Sequence, residues 1–167
     1  MNDLFCEGDK VVYPMYGAGV VEALEEQHID GQTQVYYVLR IPVGNLRIMV
    51  AVENAVTKGI RRVLPAAELL AAIQCVCVRP VSMSENWNQR YRDNMEKIRS
   101  GDLVEAAEVF RNLRRRERDR GLSSAEKKML TNVKQIILSE IILSHNVERD
   151  DAEVILENAA DIAGEAI

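Results

Sequence analysis

The hydrophobic pattern changes period once along the chain, near Pro65, and that change constrains the fold more than any other feature. Before it, apolar and polar residues alternate in short runs broken by glycine turns, as half-buried strands require. After it, apolar residues return every three or four positions, as amphipathic helices require. Strands gathered at one end and helices at the other imply an α+β protein rather than alternating βαβ units.

The strand half opens with Glu7-Gly8-Asp9 and Lys10-Val11-Val12-Tyr13-Pro14, followed by Gly17-Ala18-Gly19-Val20-Val21. A separate strand is predicted over residues 23–29. Asp30-Gly31 is a strong type I′ hairpin signal into a strand over residues 33–41, because both central residues of that turn need positive φ. Pro42-Val43-Gly44-Asn45 turns the chain again, into a strand over residues 46–52. A segment this short cannot form a large sandwich, so residues 1–62 read as a small SH3-like or Tudor-like β-barrel.

Pro65 suits the first turn of a helix, and Arg79-Pro80 breaks periodicity, so residues 63–83 read as a short helix and linker. Residues 84–167 read as an all-α domain, about four to five helices in total following the barrel. Ser84 is expected to cap a helix to about Arg99, stopped by Gly101. Asp102 with Glu105 starts the next, which carries Leu103, Ala106, Ala107, Phe110 and Leu113 on one face and ends at Gly121. Ser123-Ser124-Ala125-Glu126 is a capping box opening a long helix that ends near Asn146. Asp150 with Glu153 is expected to cap a last helix over residues 151–163.

The formal net charge of −5 argues against nucleic acid until it is resolved by segment. Residues 1–60 hold four Lys/Arg against eight Asp/Glu, and residues 130–167 hold two against eight. Residues 61–84 hold three against one, and residues 85–129 hold twelve against nine, so the positive charge collects in the middle. There also sits the only tryptophan, in Asn86-Trp87-Asn88-Gln89-Arg90-Tyr91-Arg92. An indole among water-loving neighbours reads as a contact residue, and cations beside an exposed aromatic are what a DNA-backbone contact needs. The competing reading is a plug in the helical core, with the charged helices merely solvated.

Little supports catalysis. Neither His28 nor His145 has a nucleophile and acid in a recognised arrangement, and no phosphate loop follows Gly17-Ala18-Gly19. Cys6, Cys75 and Cys77 lack zinc spacing and read as reduced thiols. Glu148, Asp150, Asp151 and Glu153 lack the spacing of a calcium loop. No cofactor or metal is expected. The acidic start Met1-Asn2-Asp3 lacks the basic region of a signal peptide, and no apolar run approaches the ~20 residues of a membrane span, so a cytoplasmic protein is expected.

Three separated motifs carry a family resemblance: Gly8-Asp9-Lys10-Val11-Val12-Tyr13-Pro14 with Gly17; Trp87-Asn88-Gln89-Arg90-Tyr91-Arg92 with Asn94-Met95-Glu96-Lys97-Ile98 and Ser100-Gly101-Asp102; and Leu122-Ser123 with Glu126-Lys127-Lys128-Met129-Leu130. Over nearly its whole length the chain resembles the CarD-like bacterial transcription regulators. Their N-terminal domain is similar to the RNA-polymerase-interacting domain of transcription-repair coupling factor.

The resemblance implies a non-catalytic adaptor whose Tudor-like barrel docks by strand pairing on the RNA polymerase β subunit while the helical domain touches promoter DNA. In the family the tryptophan wedges into the minor groove at the upstream edge of the opened −10 region and stabilises the open complex. Trp87 takes that position. Phosphate contacts are expected at Arg90, Arg92, Arg116, Arg120 and Lys127, and polymerase contacts at Gln27, Ile29, Arg47, Ile48 and Met49. The family commonly places a basic residue and a proline near Met49 and Ala51, and a basic residue at Gln27; this chain does not. A monomer is expected, working with polymerase and promoter and not with a membrane. The alternative is a protein-interaction module that binds polymerase without touching DNA.

Overall fold

The hairpin forms where two consecutive residues take positive φ, Asp30 at 50° and Gly31 at 78°. It joins the two longest strands of a five-stranded antiparallel sheet. The structure, a computed structural model, describes residues 4–164; the reading of Met1-Asn2-Asp3 and the far ends of both expected domains lie outside them. The strands are β1 (Lys10–Tyr13), β2 (Gly17–Ile29), β3 (Gln32–Ile41), β4 (Leu46–Ala51) and β5 (Arg61–Arg62), in the order β4-β3-β2-β1-β5. The two strands expected over residues 17–21 and 23–29 are one strand, with a register shift between Val21 and Ala23. A bulge absorbs the odd residue and bends the strand, so one ladder serves where the pattern suggested two.

Five helices follow: α1 (Ala66–Cys77), α2 (Trp87–Arg99), α3 (Leu103–Asp119), α4 (Ser124–His145) and α5 (Arg149–Gly164). The chain is thus a small Tudor-like β domain followed by a helical domain. Asp102 and Ser123 cap α3 and α4 as expected. At α2 the cap is Asn86, which accepts from Gln89 N–H, and not Ser84, whose hydroxyl accepts from Asn86 N–H instead. Asn86 wins because its carbonyl sits one residue before the first helical turn, where the orphan N–H groups point. Trp87 is therefore the first residue of α2.

Period two divides β1 between two cores. Val11 turns into the barrel with Phe5, Val21, Tyr37, Leu39 and Val50, while Val12 turns outward with Ala18 onto Leu143 of α4. The helical core gathers Leu69 and Ile73 of α1, Phe110 and Leu113 of α3, Val133 and Ile137 of α4 and Leu156 of α5. The short helix within residues 63–83 is therefore part of the helical core.

Barrel and helices meet in a polar joint. Arg61 of β5 makes a two-pronged ion pair with Glu140 of α4, at 2.7 and 2.9 Å, and its Nε donates to Gly101 O at 2.8 Å. Leu64 N–H also donates to Glu140, and Ala18 N–H donates to Ser139 Oγ at 2.8 Å. A Cβ at Gly17 would lie 2.7 Å from Ser139 Oγ, and one at Gly101 would lie 2.6 Å from Pro14 Cγ, so both glycines are set by close approach as well as positive φ. The Glu140 side chain is 2% exposed and that of Arg61 27%. Removing the arginine strands a buried carboxylate, whereas removing the carboxylate leaves an arginine that can reach water. Arg61→Ala is expected to cost about 3–5 kcal/mol and Glu140→Gln distinctly less, measured by urea unfolding of both variants.

Candidate nucleic-acid interface

Trp87 stands where the starts of α2 and α4 meet. A place on the helix expected to run to about Arg99 was read from the residues; the neighbour across the gap was not. The indole Nε1 donates to Ser123 Oγ, the N-cap of α4, at 3.1 Å, and the ring stacks on Tyr91 one turn along α2, with centroids 5.4 Å apart and planes at 21°. It remains 42% exposed. Trp87 is therefore neither a core plug nor a free side chain: one face and one edge are held, and the rest meets solvent. The i, i+4 spacing of Trp87 and Tyr91 was a legible signal for the stack.

The capping box of α4 is complete. Ser123 Oγ accepts from Glu126 N–H, and the Glu126 carboxylate accepts from Ser123 N–H in return. Glu126 is buried, and Arg90 beneath it donates from Nε at 2.6 Å while Nη1 reaches the carbonyls of Ser84 and Glu85. This corrects the expectation for Arg90. At 3% exposure its guanidinium is engaged inside the fold, and a phosphate could reach it only by breaking the Glu126 pair. The sequence could not separate it from Arg92, because both sit among polar residues; helical rotation turns one inward and the other out.

Arg92 is exposed and Lys127, one turn into α4, is exposed beside Lys128. Arg120 is exposed and pairs with the equally open Glu85, a surface pair worth little and readily exchanged. Arg116 is half-buried, its Nε covered and without a partner among the described residues. Arg116 and Arg120 line one depression with Val81, Met83 and Glu85, just before Trp87. Other arginines of the basic run work internally: Arg111 and Arg115 hold the carbonyls of Val76 and Cys77 at the end of α1, and Arg114 pairs with Glu157 and Asp161 of α5.

The second set lies in the barrel. β4 pairs only with β3, so its other edge is unpaired among the described residues. Met49 and Ile29 are exposed, Ile48 is half-buried, and the Gln27 amide lies 4.0 Å from Met49 Sδ. Arg47 reaches back across the sheet to Glu22 and Glu25. The structure brings Trp87, Arg120 and Lys127 around the α2 and α4 starts and places the β4 set on the other domain. Among the described residues no group of three or more His, Cys, Asp or Glu could hold a metal ion, and no helix is long and apolar enough to cross a membrane.

Burial works to raise the Glu126 carboxyl, but the Arg90 guanidinium and the Ser123 N–H and hydroxyl outweigh it and hold the group below its ordinary 4.5. A depressed folded value means stabilisation that is complete above the unfolded value and lost as pH falls through the folded one. Stability measured by urea midpoints from neutral pH to about pH 3 is expected to fall less steeply in Glu126→Gln than in the parent chain. Parallel curves would assign no such role to Glu126.

Two family models match the chain. Residues 5–64 match the family described as the CarD-like/TRCF RID domain, and residues 72–157 match the CarD C-terminal domain. A protein of Bacillus subtilis (strain 168) named "Putative transcription factor YdeB" is 36% identical over 141 residues, which cover 83% of this chain and 90% of that protein. With both family domains in order across a barrel, a helical domain and the helix start that carries Trp87, the chain belongs to the CarD-like family of transcription regulators, a family of regulators rather than of enzymes.

Proposed function

We propose that this regulator bridges RNA polymerase and promoter DNA. The β4 edge, with Gln27, Ile29, Arg47, Ile48 and Met49 around it, pairs with a strand of the polymerase β subunit; Trp87 enters the minor groove at the upstream edge of the −10 region. Arg92, Arg116, Arg120 and Lys127 hold phosphates beside the ring, which position the protein without reading sequence. A ring placed against an opened base step slows closure of the bubble, and so prolongs the open complex. The protein acts as a monomer, with polymerase supplying its location.

The observation that carries this reading is the pose of Trp87: a partly exposed indole, fixed at its N–H and one face, on a helix that also carries exposed Arg92 and against the start of the helix that carries exposed Lys127. The unpaired edge of β4 supports the polymerase half, because main-chain pairing needs a free ladder more than particular side chains. That is why the absent basic residue at Gln27 and proline near Ala51 do not remove the contact.

Trp87→Ala is expected to shorten the lifetime of open complexes by about tenfold, the size of a lost base–aromatic contact, with polymerase binding retained. In a salt series on promoter-complex affinity, Arg92→Ala and Lys127→Ala should each lower the slope of log K against log salt by roughly 0.9. Arg90→Ala should leave the slope unchanged and lower stability instead. Slopes unchanged in all three, with an unaltered lifetime in Trp87→Ala, would favour a module that binds polymerase without touching DNA. Met49→Lys places a charge on the free edge and is expected to weaken capture of the polymerase β subunit while leaving the fold intact.

A further inference from the structure

Ser123 uses every hydrogen-bonding capacity it has. A hydroxyl donates one hydrogen and accepts two. That of Ser123 accepts from Glu126 N–H at 3.2 Å and from Trp87 Nε1 at 3.1 Å, and donates to Glu126 Oε2 at 3.0 Å. An N-cap serine needs only the first of these to cap its helix. Here the hydroxyl hydrogen is drawn to one carboxylate oxygen, and the other oxygen of that carboxylate is held by Arg90 Nε. With the hydrogen committed in this direction and one lone pair on the helix N–H, the second lone pair is left for the indole.

An indole 42% exposed at the first residue of a helix would otherwise turn about both of its side-chain torsions, and any partner would have to order it. Fixing the N–H at Ser123 and one face on Tyr91 removes that freedom before a partner arrives. We infer that Ser123 is a positioning residue for Trp87: the chain of contacts from Arg90 through Glu126 to Ser123 holds the indole in its exposed pose and presets it for insertion into DNA. The inference rests on the wedge proposed above. It gives the buried arginine a task, since Arg90 orients the carboxylate that orients the hydroxyl.

With its N–H committed to Ser123, the ring offers DNA only carbon. It responds to how easily a base step unstacks and not to a donor and acceptor pattern.

The full-length chain tests this with Ser123→Ala, Ser123→Thr and Ser123→Asp. Fluorescence of the only tryptophan and the open-complex lifetime, with the host polymerase on promoter DNA, are the two readouts. Ser123→Ala is expected to raise quenching of Trp87 by acrylamide and to shorten the lifetime roughly fivefold, the factor that one net hydrogen bond sustains. Ser123→Thr keeps the hydroxyl and should restore both. Ser123→Asp keeps acceptors for the helix N–H and for the indole but sets a second carboxylate against that of Glu126, and this repulsion is expected to turn the side chain away and give the Ser123→Ala result. Replacing Trp87 with β-(3-benzothienyl)alanine removes only the N–H and leaves the capping box whole, so the same loss is expected even if Ser123→Ala folds poorly. Quenching and lifetime unchanged in Ser123→Ala and in the analogue would overturn the positioning role. Should Trp87→Ala itself leave the lifetime unchanged, the wedge falls, and the quenching data alone decide whether Ser123 orients the ring.

Discussion

A buried carboxylate, Glu140, is the centre of the joint between the two halves of this protein. It sits on α4, but its partners come from elsewhere: the Arg61 guanidinium from β5 and the Leu64 N–H from the segment leaving the barrel. Arg61 in turn caps the turn between α2 and α3 through Gly101 O. One ion pair therefore ties the sheet, the longest helix and the α2–α3 turn into one unit. Such a pair adds little net stability against a well-packed apolar joint, but it tolerates only one geometry, because a misplaced barrel would leave a charge buried without its partner.

The joint matters for function because α4 runs from it to the site. Glu140 and Ser123 are separated by seventeen positions along the chain, so the helix acts as a strut of about 25 Å between the barrel attachment and the tryptophan seat. At one end Ser139 accepts from the β2 backbone; at the other Ser123 accepts from Trp87. The function proposed above would put one partner on β4 and another at the starts of α2 and α4, and such an arrangement gains from a strut of this kind. The two contacts then keep a constant separation, and binding one partner presents the other surface without further ordering.

The basic middle of the chain divides between two tasks that composition cannot distinguish. Arg90, Arg111, Arg114 and Arg115 hold carboxylates and helix-end carbonyls inside the fold. Arg92, Lys127 and Lys128 face outward. An acidic protein keeps a net-positive middle in this way: residues 85–129 hold nine acids against twelve Lys/Arg, and Arg92, Lys127 and Lys128 among them face outward.

What the residues alone determined was local. Period two and period 3.6 gave the order of strands and helices, Asp30-Gly31 gave the hairpin, and Ser123 with Glu126 gave the start of α4, because each depends on neighbours a few positions away. The setting of Trp87 in polar company was legible for the same reason. The bulge that merges two expected strands, the cap at Asn86, the burial of Arg90, the bond from Trp87 to Ser123 and the Arg61–Glu140 joint were decided only by tertiary structure. Each sets one group against another from a different element or a different face. Whether an arginine meets a phosphate or a buried carboxylate depends on helical rotation and on what packs opposite, and neither is written in the residue or its immediate neighbours.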